Sequence, residues 1–465
     1  MRSERHRSRP RGQGILTIVF VAVAIVGGLA LERQLGPKVP PPASPGTAVS
    51  GAWFCPHGGG PKEWKATVYL ANPGVQDVTA RVSELSVRHP RPPRVVTVPA
   101  QHTVAVPVAA VGREASTYVE YFGGWIAAGW VVQGGAGEIG VGAEPCAPAA
   151  ARRWFAPDGT TAQGEDAYLV VMNPFASDAV LDVVLFTPHR APIRDSKLTD
   201  VLLPAGRSVA FRLNAFAEGE AAVGAEVDVS LGRVSVSSMG ITRDGGIRCV
   251  IGATAETTRA YLQAGAGSGQ SSLSIMVPGS RQLRFGATLL SKDAPQPAGG
   301  LTDAQQDPAS TRPYPVTTNG ASSIDLVSQA SAPFVATQHA VGVGNDSAAT
   351  GAVAPAARWV VLPAIAGEPA KPGLVLVNPG DGAVTVTLHA LAAADANPPA
   401  DVTLTLPPAS VAWAPNAFLD QLPFGALEVR SDGGDVLATA ASTSLGVKGL
   451  STYALAAGVA EPETP

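Results

Sequence analysis

Charge, aromatic rings and cysteine are all scarce in this 465-residue chain, at 15% charged, 6% aromatic and three cysteines. No two cysteines or histidines stand at ligand spacing, which argues against a metal site. The seven histidines (His6, His57, His89, His102, His189, His339 and His389) are scattered, without a His-Glu-x-x-His pair. No Gly-x-Ser-x-Gly elbow offers a hydrolase nucleophile. With 33 basic against 37 acidic residues, the chain has no basic footprint for nucleic acid. No amphipathic helical segment separates its strand-like segments, so an α/β architecture is not expected. Gly135-Ala136-Gly137-Glu138-Ile139-Gly140 spells a dinucleotide fingerprint, but Pro145 and Cys146 follow where a helix should receive the pyrophosphate, so it reads as a glycine-rich hairpin. Asp432-Gly433-Gly434-Asp435 and Gly380-Asp381-Gly382 lack the alternating oxygen ligands of a calcium loop and read as turns. No cofactor and no catalytic residue is expected.

What is present is a repeat. Trp53, Trp154 and Trp359 each lead, at one constant spacing, to Asn72-Pro73, Asn173-Pro174 and Asn378-Pro379. A period of about one hundred residues suits a whole β-sandwich and not a short solenoid unit. Period-two segments bounded by Gly, Pro and Asn recur in one order, as in Ala66–Leu70, Val78–Val82, Arg94–Val98, Thr103–Val106 and Thr117–Tyr121. These read as half-buried antiparallel strands. The expected fold is all-β, with tandem immunoglobulin-like antiparallel β-sandwiches set out as beads on a string. Their bounds are 51–150, 151–252, 253–350 and 351–460. The third unit is degenerate. Tyr261 stands near its tryptophan position, Val277-Pro278-Gly279 replaces Asn-Pro, and 293–315 reads as an inserted loop whose low hydrophobicity favours disorder. Each Asn-Pro is expected to cap a turn while proline refuses the next ladder bond. The tryptophans are expected to cover sandwich edges or to pack between neighbours.

Residues 1–13 form a basic tail with Arg2, Arg5, Arg7, Arg9 and Arg11 against Glu4, leaving a mildly acidic remainder. Residues 14–31 are an uncharged, mostly apolar run, long enough for about 27 Å of helix. The arginines should hold the N-terminus in the cytoplasm and place the bulk of the chain outside. The rival reading is a cleavable signal peptide ending near Gly28-Leu29-Ala30. Residues 32–50 are a proline-rich spacer.

The run Arg153-Trp154-Phe155-Ala156-Pro157-Asp158-Gly159-Thr160-Thr161, then Tyr168–Pro174, then Leu203-Pro204-Ala205, resembles the Trp-Tyr-Phe-Ala-Glu-Gly repeats of bacterial surface proteins. The layout over residues 10–460 also resembles an actinobacterial family of membrane-anchored extracytoplasmic proteins with a domain of unknown function. The likeness is close in repeats one, two and four and poor in three. It implies tandem β-sandwiches at the cell envelope and carries no catalytic residues.

Aligning repeats one and two sets Cys55 against Ala156, while Cys146 and Cys249 both follow the last strands of their units. Cys55 and Cys146 are therefore expected to bridge, with Cys249 left single because its partner has become Ala156. A Cys146–Cys249 bridge and no disulfide are the alternatives. Tyr118, Tyr121, Trp125 and Trp130, with Phe122, concentrate aromatics in a chain poor in them. They are either core or a glycan-stacking patch. The expected function is a non-catalytic, membrane-anchored scaffold or interaction module of the cell envelope. The alternative is a glycan-binding accessory of an envelope polysaccharide system. Its partners would be the membrane, through the N-terminal helix, and envelope polysaccharide or another envelope protein.

Overall fold

In a computed structural model of the chain, the described residues are 49–85, 92–135, 140–267, 270–318, 320–341, 347–351, 353–365, 370–393, 397–422, 424–445 and 451–462. The basic tail 1–13, the apolar run 14–31 and all but the end of the spacer 32–50 lie outside them. Among the described residues no helix is long and apolar enough to cross a membrane.

Strands β1 (Ser50–Cys55), β2 (Lys65–Asn72), β3 (Val78–Leu85), β4 (Arg94–Val98), β5 (His102–Val108), β6 (Ser116–Phe122), β7 (Ala127–Gln133) and β8 (Val141–Pro145) make two sheets, ordered β1-β6-β3-β4 and β5-β2-β7-β8. The same order recurs with β9 (Arg153–Ala156), β10 (Asp166–Asn173), β11 (Ala179–Phe186), β12 (Val201–Leu203), β13 (Arg207–Arg212), β14 (Gly224–Leu231), β15 (Ser235–Ile241) and β16 (Ile247–Ile251). It recurs again with β17 (Arg259–Gly267), β18 (Gln270–Val277), β19 (Leu283–Leu290), β20 (Gln296–Pro297), β21 (Ala304–Gln306), β22 (Ser310–Thr317), β23 (Gly320–Ser328), β24 (Val335–Val341) and β25 (Ser347–Gly351), where β20 and β21 share the fourth-strand place. The last set is β26 (Arg358–Val361), β27 (Ala370–Lys371), β28 (Leu374–Asn378), β29 (Val384–Ala390), β30 (Ala392–Ala393), β31 (Val402–Leu406), β32 (Ser410–Trp413), β33 (Leu427–Asp432), β34 (Leu437–Leu445), β35 (Ser451–Ala457) and β36 (Val459–Ala460), with a short helix α1 (Asn416–Leu419) after β32.

The strand order departs from the immunoglobulin one. Second pairs with fifth and third with sixth, as B–E and C–F do, but the first strand joins the sixth and the seventh joins the second. The outer strands have thus exchanged sheets relative to the ABED and CFG arrangement. This puts the first and eighth strands on opposite sheets, where a backbone bridge closes the seam: Phe54 N–H donates to Ala147 O and Ala147 N–H to Phe54 O, at 3.0 and 2.8 Å. Phe155 with Ala253 repeats it, and Tyr261 with Val353 bridges likewise. Tyr261 is therefore the counterpart of Phe155, and Ala260 holds the tryptophan position of the third unit.

Segment 293–315 contains β20, β21 and the first part of β22, contrary to the disorder that its composition suggests. Pro313 and Pro315 fit because β22 is an edge strand, where alternate N–H groups are not needed by the ladder. Gln306, 1% exposed, does the work of the missing asparagine by donating to Ile275 O and Ser310 O at 2.9 and 3.1 Å.

The units are not beads on a string. Strands β3 and β29 alternate as half-buried strands should, whereas β7, β15 and β28 are buried on nearly every residue. Burial on both faces means that the inner sheet of each sandwich packs on its neighbours. The eighth strands form the meeting point: β8 lies against β16 and β35, and β25 also lies against β16 and β35. Close approach there needs glycine, since a Cβ at Gly142 would sit 2.6 Å from Cys249 Sγ and one at Gly140 2.1 Å from Ile247 N. The circuit closes between last and first: β30 pairs parallel with β5, Ala392 opposite His102. There, His389 Nε2 lies 2.7 Å from Gln101 Oε1, and Ala426 N–H donates to Thr103 Oγ1 at 2.9 Å. The cores of the first and fourth sandwiches accordingly merge into one apolar cluster.

Candidate functional site

The repeat residues carry one network three times. Asn173 Nδ2 donates to Ser177 O, Leu203 O and Pro204 O at 2.8, 3.1 and 3.3 Å, and its Oδ1 accepts from Phe175 N–H at 3.2 Å. Asn378 reproduces it with Gly382, Leu406, Pro407 and Gly380, and Asn72 with Gln76, Val98 and Gly74. The asparagine ties the second strand's end to the turn beyond Pro73, Pro174 or Pro379 and to the fourth strand. Trp53, Trp154 and Trp359 are 4%, 1% and 2% exposed. Each indole N–H donates to the carbonyl at the entry to the seventh strand: Ile126, Val234 and Val436, at 2.8, 2.8 and 2.9 Å. They lie inside their own sandwiches and not at edges or between neighbours, because the first strand turns its tryptophan inward.

Cys55 and Cys146 form a disulfide with Cα atoms 4.6 Å apart, at the seam beside the Phe54–Ala147 bridge. Since Ala253 is the counterpart of Ala147, the residue matching Cys146 is Gly252. Cys249 lies three residues earlier, within β16, and is buried and free. The expectation that Ala156 replaced its partner is corrected by that register.

The aromatic group of the first sandwich offers no exposed pair of rings. Trp130 and Tyr121 are 1% and 7% exposed. Tyr118 rests on Phe54, with centroids 5.3 Å apart, and half-buried Trp125 meets Trp53 edge-on at 6.3 Å. Trp130 is enclosed because β7 is covered on both faces.

Sequence reasoning missed a buried polar cluster where the sandwiches meet. Arg248 in β16, 2% exposed, places Nη1 3.4 Å from Glu165 Oε2 and 3.5 Å from His339 Nε2, and Nε 3.9 Å from Asp158 Oδ2. Glu144 in β8 is 2% exposed, and its Oε1 lacks a hydrogen-bond partner among the described residues. Burial, and then the neighbouring Asp158, push the Glu144 carboxyl well above the usual carboxylate range. Burial also raises Asp158, against the opposing pull of Arg248. His339 is held well below its ordinary value by burial and then by the Arg248 charge. His57 bonds Thr117 Oγ1 at 2.9 Å and the Gly58 carbonyl at 2.7 Å, and burial lowers it to about 4. Burial likewise pushes the Cys249 thiol up to about 12, so it is not a thiolate nucleophile at neutral pH. The signal was a charged residue inside an apolar strand: Glu144 within Val141–Pro145 and Arg248 within Ile247–Ile251.

Glu144, Pro157, Gly252, Thr337, Gly351 and Gly458, drawn from all four sandwiches, line a cavity of ≈ 120 Å³ at this junction. Sites for small molecules usually start near about 300 Å³. The arrangement joins units: one guanidinium draws groups from two sandwiches together, and Ser274 Oγ adds a bond to Pro157 O at 2.7 Å. Among the described residues no group of three or more His, Cys, Asp or Glu side chains is placed to hold a metal ion.

A profile of a family of unknown function, DUF5719, matches residues 122–415, well over half of the chain, and the chain belongs to that family. The match spans the whole buried cluster except His57. No curated protein matches the sequence. Among solved structures, the trypsin-activated alpha-2-macroglobulin of Escherichia coli aligns at 11% identity with a TM-score of 0.12. The alignment covers 90% of this chain and 42% of that chain, and at this score it carries no argument.

Proposed function

We propose that this DUF5719 member is a non-catalytic scaffold of the bacterial cell envelope, held at the membrane by residues 14–31 and presenting a closed, rigid body outside. The observation that supports it best is the ladder between β30 and β5, which joins the last sandwich to the first. A ring of sandwiches with cores merged across its closure resists bending and offers a fixed outer surface on which partners assemble. The disulfide fits an oxidising compartment. The apolar run after an arginine cluster sets the orientation, with the N-terminus inside. Reporter fusions after residue 50 should then be active only outside the cytoplasm. A mature N-terminus near Leu31 would remove the anchor and keep export, while activity inside would overturn both. The alternative, a glycan-binding accessory, would rest in the first sandwich on exposed Phe122 and half-buried Tyr118 and Trp125, since Trp130 and Tyr121 are buried.

A further inference from the structure

We propose that a groove on the fourth sandwich binds a carboxylate-bearing pyranose, a uronic acid unit of an acidic polysaccharide. Strands β27 and β28 are one strand interrupted at Pro372-Gly373, since Lys371 faces Thr443 and Leu374 faces Ala440 along β34 in one continuous register. On the other side Val375 faces Trp413 of β32. Side chains alternate along strands, so Lys371, Gly373, Trp413, Ala441 and Thr443 share one face. Gly373 supplies no side chain, and a Cβ there would lie 2.9 Å from Trp413 Cζ3 and 2.1 Å from Ala441 O. The resulting groove, ≈ 360 Å³, is within the size range of small-molecule sites.

Its chemistry fits a sugar ring. Trp413 is 38% exposed, the one exposed tryptophan among the described residues. The negative face of an indole accepts the C–H face of a pyranose. Asn416 and Thr443 at the rim supply an amide and a hydroxyl for ring hydroxyls. Lys371 stands four residues from the position facing Trp413, about 13 Å along the strand, a span filled by a sugar, its carboxylate and the lysine side chain. No acidic residue is among those lining the groove, so its field favours an anion. The counterparts of Trp413, by register from each second strand's end, are Ala105, Ala210 and Pro313. The groove is therefore a feature of the fourth sandwich and not of the repeat.

The site goes beyond the scaffold reading and stands without it, because binding is read on purified protein and topology is read in cells. The test titrates the detergent-purified full chain with a galacturonic acid tetramer and, separately, with neutral cellotetraose. The uronide should bind saturably. Trp413→Ala should weaken it roughly tenfold or more, and Lys371→Glu, at an exposed position that leaves folding intact, should weaken the uronide while sparing the neutral tetramer. No saturable uronide binding at millimolar concentration, or binding undiminished in both variants, overturns the site. Equal affinity for both tetramers with no effect of Lys371→Glu overturns the carboxylate assignment.

Discussion

A buried asparagine amide that bonds three carbonyls and one N–H is worth more to a sandwich than the proline after it. Asn173→Ala leaves the Leu203 and Ser177 carbonyls without their donor, and should cost about 2–4 kcal/mol in denaturant unfolding. Pro174→Ala changes mainly the unfolded chain and should cost less than about 1 kcal/mol. Titratable groups at the junction make the second residue-scale prediction. His57 is neutral when folded and ordinary when unfolded, so the unfolded chain binds the extra proton, and stability falls as pH drops from 6.5 toward about 4. The loss is on the order of 3 kcal/mol, and His57→Gln should flatten that part of the profile. Glu144 acts with the opposite sign. Its raised pKa favours the folded state below the ordinary carboxylate range and is lost as pH rises through the folded value, so Glu144→Gln should gain stability relative to the parent at neutral and alkaline pH. The residue pattern exposed the Asn-Pro staples at once, because their spacing is local in sequence. It hid the Arg248 cluster, because Glu144, Asp158 and His339 come from three different sandwiches.

At the scale of elements, period-two alternation identified strands well and their surroundings poorly. Strand β3 alternates and has one solvent face, as its sequence indicates. Strands β10 and β28, with Leu169-Val170-Val171-Met172 and Leu374-Val375-Leu376-Val377, are continuous apolar runs, the mark of burial on both faces. The string of separate beads came from the hundred-residue period alone, which does not report that these strands are covered on both faces. Proline-rich 293–315 misled for a related reason, since composition cannot distinguish an edge strand from a loop. The disulfide belongs to this scale too, for it staples the seam that backbone bonds alone close elsewhere. Its closed loop, with a separation of 91 residues, is worth about 4–5 kcal/mol in the chain-entropy model. Thiol labelling should find no reactive cysteine in the native protein, one after denaturation and three after denaturation with reductant. Rapid labelling of Cys249 in the native state would contradict its burial on β16 against Gly142 of β8.

At the scale of the molecule, the central claim is that the four sandwiches within Val49–Pro465 close on themselves. Small residues at the eighth strands permit the approach, the Arg248 cluster joins neighbours, and β30 on β5 completes the circuit. The sequence showed four repeats but not their closure, because the residues that close it, Gln101, His102 and Thr103 against His389, Ala392 and Ala426, are about three hundred positions apart and follow no motif. A paired substitution His102→Cys with Ala392→Cys should oxidise to an intramolecular bridge in the full chain, since the two positions face each other in a ladder. The most direct measurement is small-angle X-ray scattering from the segment 49–465. A closed body of this length should give a radius of gyration of about 22 Å, whereas four sandwiches strung in line would give about 40 Å. A value near the first supports the ring, and one near the second contradicts it.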